Sequence, residues 1–219
     1  MPAAAVATST RLILVHGTGH GGWCWYKVAT LLRAAGHRVD APDLAACGAD
    51  ARRLSDAPTF EDYTRPLLDA LRDLPDGERA VLVGHSFGGM SVALAAEEFP
   101  DKVAAAVFLT AFMPDCDGPR TRVIEEDYTL CQSLARVSSY YVADQQQRPP
   151  FSAARYGAVT KVYVVAKQDL AMVEEYQRQM IAGIPVAEVR EMADADHMAM
   201  LSAPEELAGH LADIANNYT

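Results

Sequence analysis

Apolar residues along the chain fall into short continuous runs that alternate with stretches of helical spacing. Arg11-Leu12-Ile13-Leu14-Val15 is a β-type run that stops at His16-Gly17-Thr18-Gly19-His20-Gly21-Gly22, where four glycines free the backbone. Over residues 23–35, Trp23, Tyr26, Val28, Leu31 and Leu32 recur at helical spacing, and Gly36 stands where a helix C-cap belongs. The pattern predicts a strand at about 37–40, a loop over 43–58, and a helix over 60–74 that Pro75-Asp76-Gly77 stops. Ala80-Val81-Leu82-Val83 is the next strand, followed by a helix through about Phe99 that Pro100 ends. Residues 103–109 and 161–166 read as strands, 186–190 as a weaker one, and 171–182 and 204–216 as helices. Strands alternating with helices imply right-handed βαβ units, hence an α/β fold with a mostly parallel sheet covered on both faces. Residues 113–160 interrupt the alternation with Pro-, Gln- and Tyr-rich pieces and a helical middle, and read as an insertion above the sheet. The expected organisation is one domain over 1–219, with a core at about 10–113 and 158–219 and a reduced helical lid at about 114–157.

A chain of 219 residues, 50% hydrophobic and 22% charged, has the composition of a soluble globule with one sizeable core. Its formal charge of −10, with no basic run, removes the electrostatic footprint of nucleic-acid binding and disfavours anionic membranes. No apolar run reaches the roughly 18 residues of a membrane span. Cys24, Cys47, Cys116 and Cys131 are scattered, without a CxxC pair or a Cys/His cluster, so neither a zinc site nor a disulfide framework is expected. Residues 1–10 lack the basic and long apolar parts of a secretory signal. A cytoplasmic protein with reduced thiols is the expectation.

Candidate chemistry centres on Gly84-His85-Ser86-Phe87-Gly88. A serine hydroxyl is a poor nucleophile unless a base takes its proton and donors stabilise the developing oxyanion. Small residues two before and two after Ser86 permit the sharp strand-to-helix turn of α/β-hydrolases, which lifts Oγ above the sheet and directs the Phe87 N–H at the same point. Such a match arises by chance in Ala- and Gly-rich chains, but here a strand precedes it and a helix follows. The second oxyanion donor should come from the glycine-rich turn after the first strand, as the backbone N–H of Thr18. A nucleotide loop is disfavoured, because Gly17, Gly19 and Gly22 lack both the P-loop lysine and a well-placed acid.

The base belongs late in the chain, since hydrolases of this fold order their triad Ser, acid, His. Of six histidines only His197 and His210 follow the helix after Ser86. His210 lies within the last amphipathic helix, where a solvated or packed role suits it, whereas His197 sits on a loop between the last strand and a helix. His85 adjoins Ser86, but neighbouring side chains on a tight turn point apart, so it reads as structural. For the acid, Asp169 stands one short loop after a strand, with Asp115 second and Glu174 a further alternative. Asp194 and Asp196 lie too near His197 along the chain to reach its far nitrogen.

The motifs Val15-His16-Gly17-Thr18-Gly19-His20-Gly21-Gly22-Trp23-Cys24-Trp25-Tyr26-Lys27, Gly84-His85-Ser86-Phe87-Gly88-Gly89-Met90, Val107-Phe108-Leu109-Thr110-Ala111-Phe112-Met113-Pro114-Asp115 and Ala195-Asp196-His197-Met198-Ala199-Met200-Leu201 together resemble the plant methylesterase and hydroxynitrile lyase family. The resemblance spans nearly the whole chain. It implies Ser86 as nucleophile, Asp169 as acid, His197 as base, and Thr18 and Phe87 as oxyanion donors, with no cofactor and no metal. Cyanogenic lyases of that family typically carry a threonine where this chain has Gly17 and a lysine where it has Met198. The esterase branch is therefore implied, because without a cation beside His197 a leaving cyanide lacks its stabilising charge.

Esterase members accept methyl esters of small hormone-like acids such as salicylate, jasmonate and indole-acetate in an apolar pocket. Phe112, Phe87 and Met198 match lining positions and Gly17 and Thr18 its edge, with ordinary core packing the alternative for the apolar ones. The expectation is a serine carboxylesterase acting on a small-molecule ester, its oligomeric state open to a homodimer. A receptor-like ligand-binding protein with vestigial hydrolysis and a hydroxynitrile lyase are the rival readings. The chain is shorter than is usual in that family, and the loss is expected between about 119 and 128, ahead of 130–141, which shortens the lid.

Overall fold

The computed structural model describes residues 10–122 and 139–218. Among these, β1 (Arg11–Val15), β2 (Arg38–Asp40), β3 (Ala80–Ser86), β4 (Val103–Ala111), β5 (Lys161–Ala166) and β6 (Glu188–Met192) form a single sheet in the order β2-β1-β3-β4-β5-β6. Every pairing is parallel. The central strands β4 and β5 are buried at every position, which is why they read as unbroken apolar runs. The edge strands are more open: β2 buries only Val39, and in β6 part-buried positions alternate with exposed ones up to the buried Met192.

Helices α1 (Tyr26–Ala34) and α7 (Pro204–Asn217) cover one face, over a core that includes Trp25, Val28, Val83, Val107, Val164 and Leu211. Helices α2 (Phe60–Arg72), α3 (Gly88–Glu98) and α5 (Glu174–Gly183) cover the other, where Phe60, Tyr63, Met90, Phe108, Tyr163 and Met180 meet. Between β4 and α5 lies the short α4 (Val142–Gln146), and between β6 and α7 the single turn α6 (Ala199–Ser202). Helix α2 starts on a reciprocal cap: the Asp62 N–H donates to Thr59 Oγ1 at 3.1 Å and the Asp62 carboxylate accepts from the Thr59 backbone. Such a cap contributes about 1 kcal/mol. Small side chains let α3 press on the sheet, and its Ser91 hydroxyl bonds Thr64 of α2 at 3.1 Å.

The α/β class and the flanked parallel sheet expected from the alternation are present, with three local differences. Trp23, Tyr26 and Leu31 face solvent, while Cys24, Trp25, Val28, Ala29 and Leu32 are buried. A 3-10 turn over Gly22–Trp25 precedes α1, and its three-residue period shifts the apolar phase that uniform helical spacing assumes. The helix expected from 171 begins at Glu174, after a turn in which the Asp169 side chain accepts from the Ala171 and Met172 N–H groups. The weak strand expected over 186–190 runs instead over Glu188–Met192. The expected lid is described at residues 114–122 and 139–157, and most of its expected loss and helical middle falls at 123–138, outside the described residues.

Chain order places the site. From β1 the chain steps outward to β2, then crosses back to β3 and continues to β6. The direction reverses between β1 and β3, and in open parallel sheets the crevice at the carboxyl ends of such a pair receives ligands. Ser86 ends β3 and His16-Gly17-Thr18 follows β1, so both border this crevice.

Candidate active site

Ser86 closes β3 with φ of +53°, a left-handed conformation that a serine adopts at a cost of about 1–3 kcal/mol. Two glycines permit the turn. A Cβ at Gly84 would lie 2.8 Å from the Gly88 carbonyl oxygen, and one at Gly88 would lie 2.7 Å from those of His16 and Val15. The Phe112 N–H donates to the Ser86 carbonyl at 3.1 Å, which ties the turn to the end of β4. Ser86 is half-buried while the residues on either side of it are buried.

Asp169 follows β5 and His197 follows β6, so adjacent strands deliver them side by side. The His197 Nδ1–H donates to Asp169 Oδ2 at 2.6 Å. The second carboxylate oxygen, Oδ1, accepts from the backbone N–H groups of Ala171 at 2.7 Å and Met172 at 2.8 Å. Thr110 Oγ1 also donates to Oδ2, at 2.5 Å. Burial of Asp169 opposes its charge, yet the hydrogen bond and charge of His197, joined by the Thr110 and Met172 donors, hold its carboxyl below the usual carboxylate range.

His85 is fully buried, and its Nε2–H donates to the His197 carbonyl at 2.8 Å, with the two rings 4.7 Å apart. Burial first, and then the charge of His197, push His85 well below the ordinary imidazole value, so it stays neutral. The structural role expected for it has this concrete form: it anchors the loop that carries His197.

The turn after β1 is held by two more imidazoles. Leu44 N–H donates to His16 Nε2 at 3.0 Å, so His16 is protonated at Nδ1, which donates to the Gly17 carbonyl at 2.8 Å. His20 Nδ1–H donates to the Thr18 carbonyl at 2.9 Å. These bonds fix the peptide planes around the Thr18 N–H. Asp43 completes the turn by accepting from Gly22 N–H at 2.7 Å.

The structure thus gathers Ser86, His197, Asp169, Thr18 and Phe87 at one end of the sheet. Asp115 is engaged elsewhere: its Oδ1 accepts from the Asp117 and Gly118 N–H groups at 2.9 Å and its Oδ2 pairs with Arg122 at 2.6 Å. Glu174 pairs with Arg178 one helical turn on. Asp196 accepts from Met198 N–H and the Ser202 hydroxyl, shaping the loop before α6. His210 sits in α7 beside Arg190.

Of the apolar positions, Phe87 and Phe112 meet edge to face at 6.4 Å, and Tyr140 packs on Phe87 at 4.8 Å. Met198 is partly buried and packs against the core under α1 and α7. Sequence reasoning missed Tyr140, Thr110, His16 and His20. For Thr110 a signal existed: it is the one hydroxyl in the run Val103–Ala111. Among the described residues no group of three or more His, Cys, Asp or Glu is placed to hold a metal, and no helix is long and apolar enough to cross a membrane.

The alpha/beta hydrolase family model matches residues 12–210. Methylesterase 1 of Arabidopsis thaliana is 40% identical, across 95% of this chain and 97% of its own length. Salicylic acid-binding protein 2 of Nicotiana tabacum is 39% identical, across 95% and 98%. The alignment with Methylesterase 1 has 254 positions and this chain only 219 residues, so at least 35 positions of the relative have no counterpart here. The crystal structure of polyneuridine aldehyde esterase superposes with a TM-score of 0.89 at 34% identity, over 95% of this chain and 100% of that one. On the match to the family model and to these relatives, the chain belongs to the alpha/beta hydrolase family, in its group of plant methylesterases and related esterases.

Proposed function

We propose that the protein is a serine carboxylesterase that hydrolyses methyl esters of small, hormone-like carboxylic acids by acyl transfer through Ser86. The observation that carries this reading is the 2.6 Å bond from His197 to a buried Asp169 at the same sheet end as the left-handed Ser86 turn. Asp169 holds the imidazole in the tautomer whose Nε2 is free to accept a proton. His197 takes the proton of Ser86 Oγ as that oxygen attacks the ester carbonyl, and the Thr18 and Phe87 N–H groups receive the oxyanion. His197 returns the proton to the leaving methoxide, and methanol departs. A water, deprotonated by the same imidazole, then attacks the acyl-enzyme and releases the acid and Ser86.

Relatives named methylesterase, salicylic acid-binding protein and polyneuridine aldehyde esterase support the substrate class. Two positions favour ester hydrolysis over cyanohydrin cleavage. Met198 offers no cation next to His197. At Gly17, a Cβ would lie 2.9 Å from that of Ser86 and 3.0 Å from His85 Nδ1, so a threonine there would have to displace the nucleophile turn. The free thiols of Cys24, Cys47 and Cys116 fit an enzyme of the reducing cytoplasm. Turnover of a panel of methyl esters, with the best substrate then tested on Ser86→Ala, checks the reading. The expected loss in kcat is about 10⁶-fold; unchanged hydrolysis by Ser86→Ala would overturn it.

A further inference from the structure

Strand β4 carries one residue more than β3 opposite it: His85 pairs with Leu109, but Ser86 pairs with Ala111. The side-chain alternation breaks at the same place. Val107 and Leu109 face the core under α1 and α7, Phe108 faces the opposite core, and Ala111 joins Phe108 instead of Leu109. An extra residue of this kind is a β-bulge, which re-aims a side chain. Thr110 is that residue, fully buried and at φ of +36°, a region that β-branched residues rarely enter.

The backbone after the bulge is clamped. The Tyr163 hydroxyl accepts from the Ala111 N–H at 3.1 Å and donates to the Ala111 carbonyl at 2.9 Å. Phe112 N–H holds the Ser86 carbonyl. On an unbroken strand, position 110 would face the same apolar core as Phe108, with nothing polar to meet its hydroxyl. On the bulge it reaches Asp169 Oδ2, the oxygen that serves His197.

We propose that Thr110 is a positioning residue of the triad: the bulge in β4 delivers one neutral hydroxyl to Asp169 Oδ2, fixing the rotation of the carboxylate and drawing off part of the charge it presents to His197. The inference rests on the esterase reading above. Asp169 Oδ1 is already held by the Ala171 and Met172 N–H groups, so the plane stays free to swing unless the other oxygen is held too. His197 alone is a poor holder, because its ring must stay mobile enough to pass protons. A neutral donor suits the place. A cation there would repel the imidazolium that forms during each proton transfer, and an alkyl group would leave Oδ2 with one donor in a buried setting. Among the described residues, His197 meets Asp169 from the loop after β5 and His85 from β3, and Asp196 precedes it on its own loop.

The test compares wild type with Thr110→Val and Thr110→Ser in the full chain, reading the pH profile of kcat/KM and the rate at which a fluorophosphonate labels Ser86. Labelling of the wild-type protein is the control that separates the two claims: if Ser86 of wild type is not labelled, the esterase reading fails and this inference with it. With labelling intact, Thr110→Val is expected to move the acid limb upward by roughly 0.5 to 1 pH unit, the scale of one neutral hydrogen bond, because Asp169 then holds the imidazolium more strongly. The variant should lose kcat with little change in KM, and Thr110→Ser should restore the limb. Should Thr110→Val fail to fold, Thr110→Ala is read in its place. A packing role alone would lower stability and leave the limb where it was. An unmoved limb in the hydroxyl-free variant, or a limb moved equally by Thr110→Ser, overturns the proposal.

Discussion

Asp115 and Asp169 occupy matching places, each a few residues past the carboxyl end of a buried central strand, and each uses one carboxylate oxygen in the same way. Asp115 Oδ1 accepts from two backbone N–H groups just ahead of it in the chain, and so does Asp169 Oδ1. The other oxygen separates them. In Asp115 it meets the part-exposed Arg122 guanidinium, whereas in Asp169 it is buried against His197 and Thr110. A strand end therefore supplies a carboxylate already oriented by its own turn. The loop and strand that converge on its free oxygen decide whether it holds a surface arginine or the imidazole of His197, the base of the proposed mechanism.

The sharpest way to break this comparison is to neutralise each acid in turn. Asp169→Asn should lower kcat by about 10⁴-fold with KM nearly unchanged, because the amide favours the wrong tautomer of His197. Asp115→Asn should stay within about twofold in kcat and lose at most about 1 kcal/mol of stability, the scale of an exposed ion pair. Steady-state kinetics on both variants checks the pair, and equal losses would place the acid wrongly.

A smaller effect is expected behind the base. His85→Phe keeps an aromatic ring against His197 but removes the donor to its carbonyl, so kcat should fall about tenfold, the scale of one hydrogen bond. Single-turnover acylation rates would show whether the loss lies in the step that uses His197.

Thermal stability against pH gives the smallest signal. His85 and His16 resist protonation in the fold, chiefly through burial, whereas in the unfolded chain they take a proton near the ordinary value of 6.5. The unfolded state therefore binds more protons as pH falls, and Tm should drop between about pH 7 and 5. Asp169 has the depressed carboxyl, so its contribution is present above about pH 4 and is lost only as pH falls further. Scanning calorimetry of wild type and His85→Phe should show a flatter first stage in the variant.

Much of this molecule was legible before its structure. The runs at 80–83, 103–109 and 161–166 could only be covered strands, and the glycines around Ser86 announced a turn that the φ of +53° and the close approach of Gly88 to His16 explain. The sequence places Asp169 first and Asp115 second, but since both follow strands, what each carboxylate meets is set by tertiary structure. Thr110 is marked in the sequence only as the one hydroxyl of an apolar strand; its place on a bulge is invisible there, because a period-two pattern carries no mark where one residue is inserted. The phase of α1 departs from the spacing for a similar reason, since four residues of tighter helix precede it. His16 and His20 act on peptide planes whose orientation no spacing encodes.

The central claim is that Ser86 carries the acyl group between two half-reactions. Rapid quenching of the protein with a nitrophenyl ester that deacylates slowly, followed by digestion and mass spectrometry, tests it directly. The account predicts a burst of nitrophenol equal to the enzyme present and the acyl mass on the peptide containing Ser86, with both absent in Ser86→Ala. Steady hydrolysis with no acylated peptide, or an acyl mass on another residue, would contradict it.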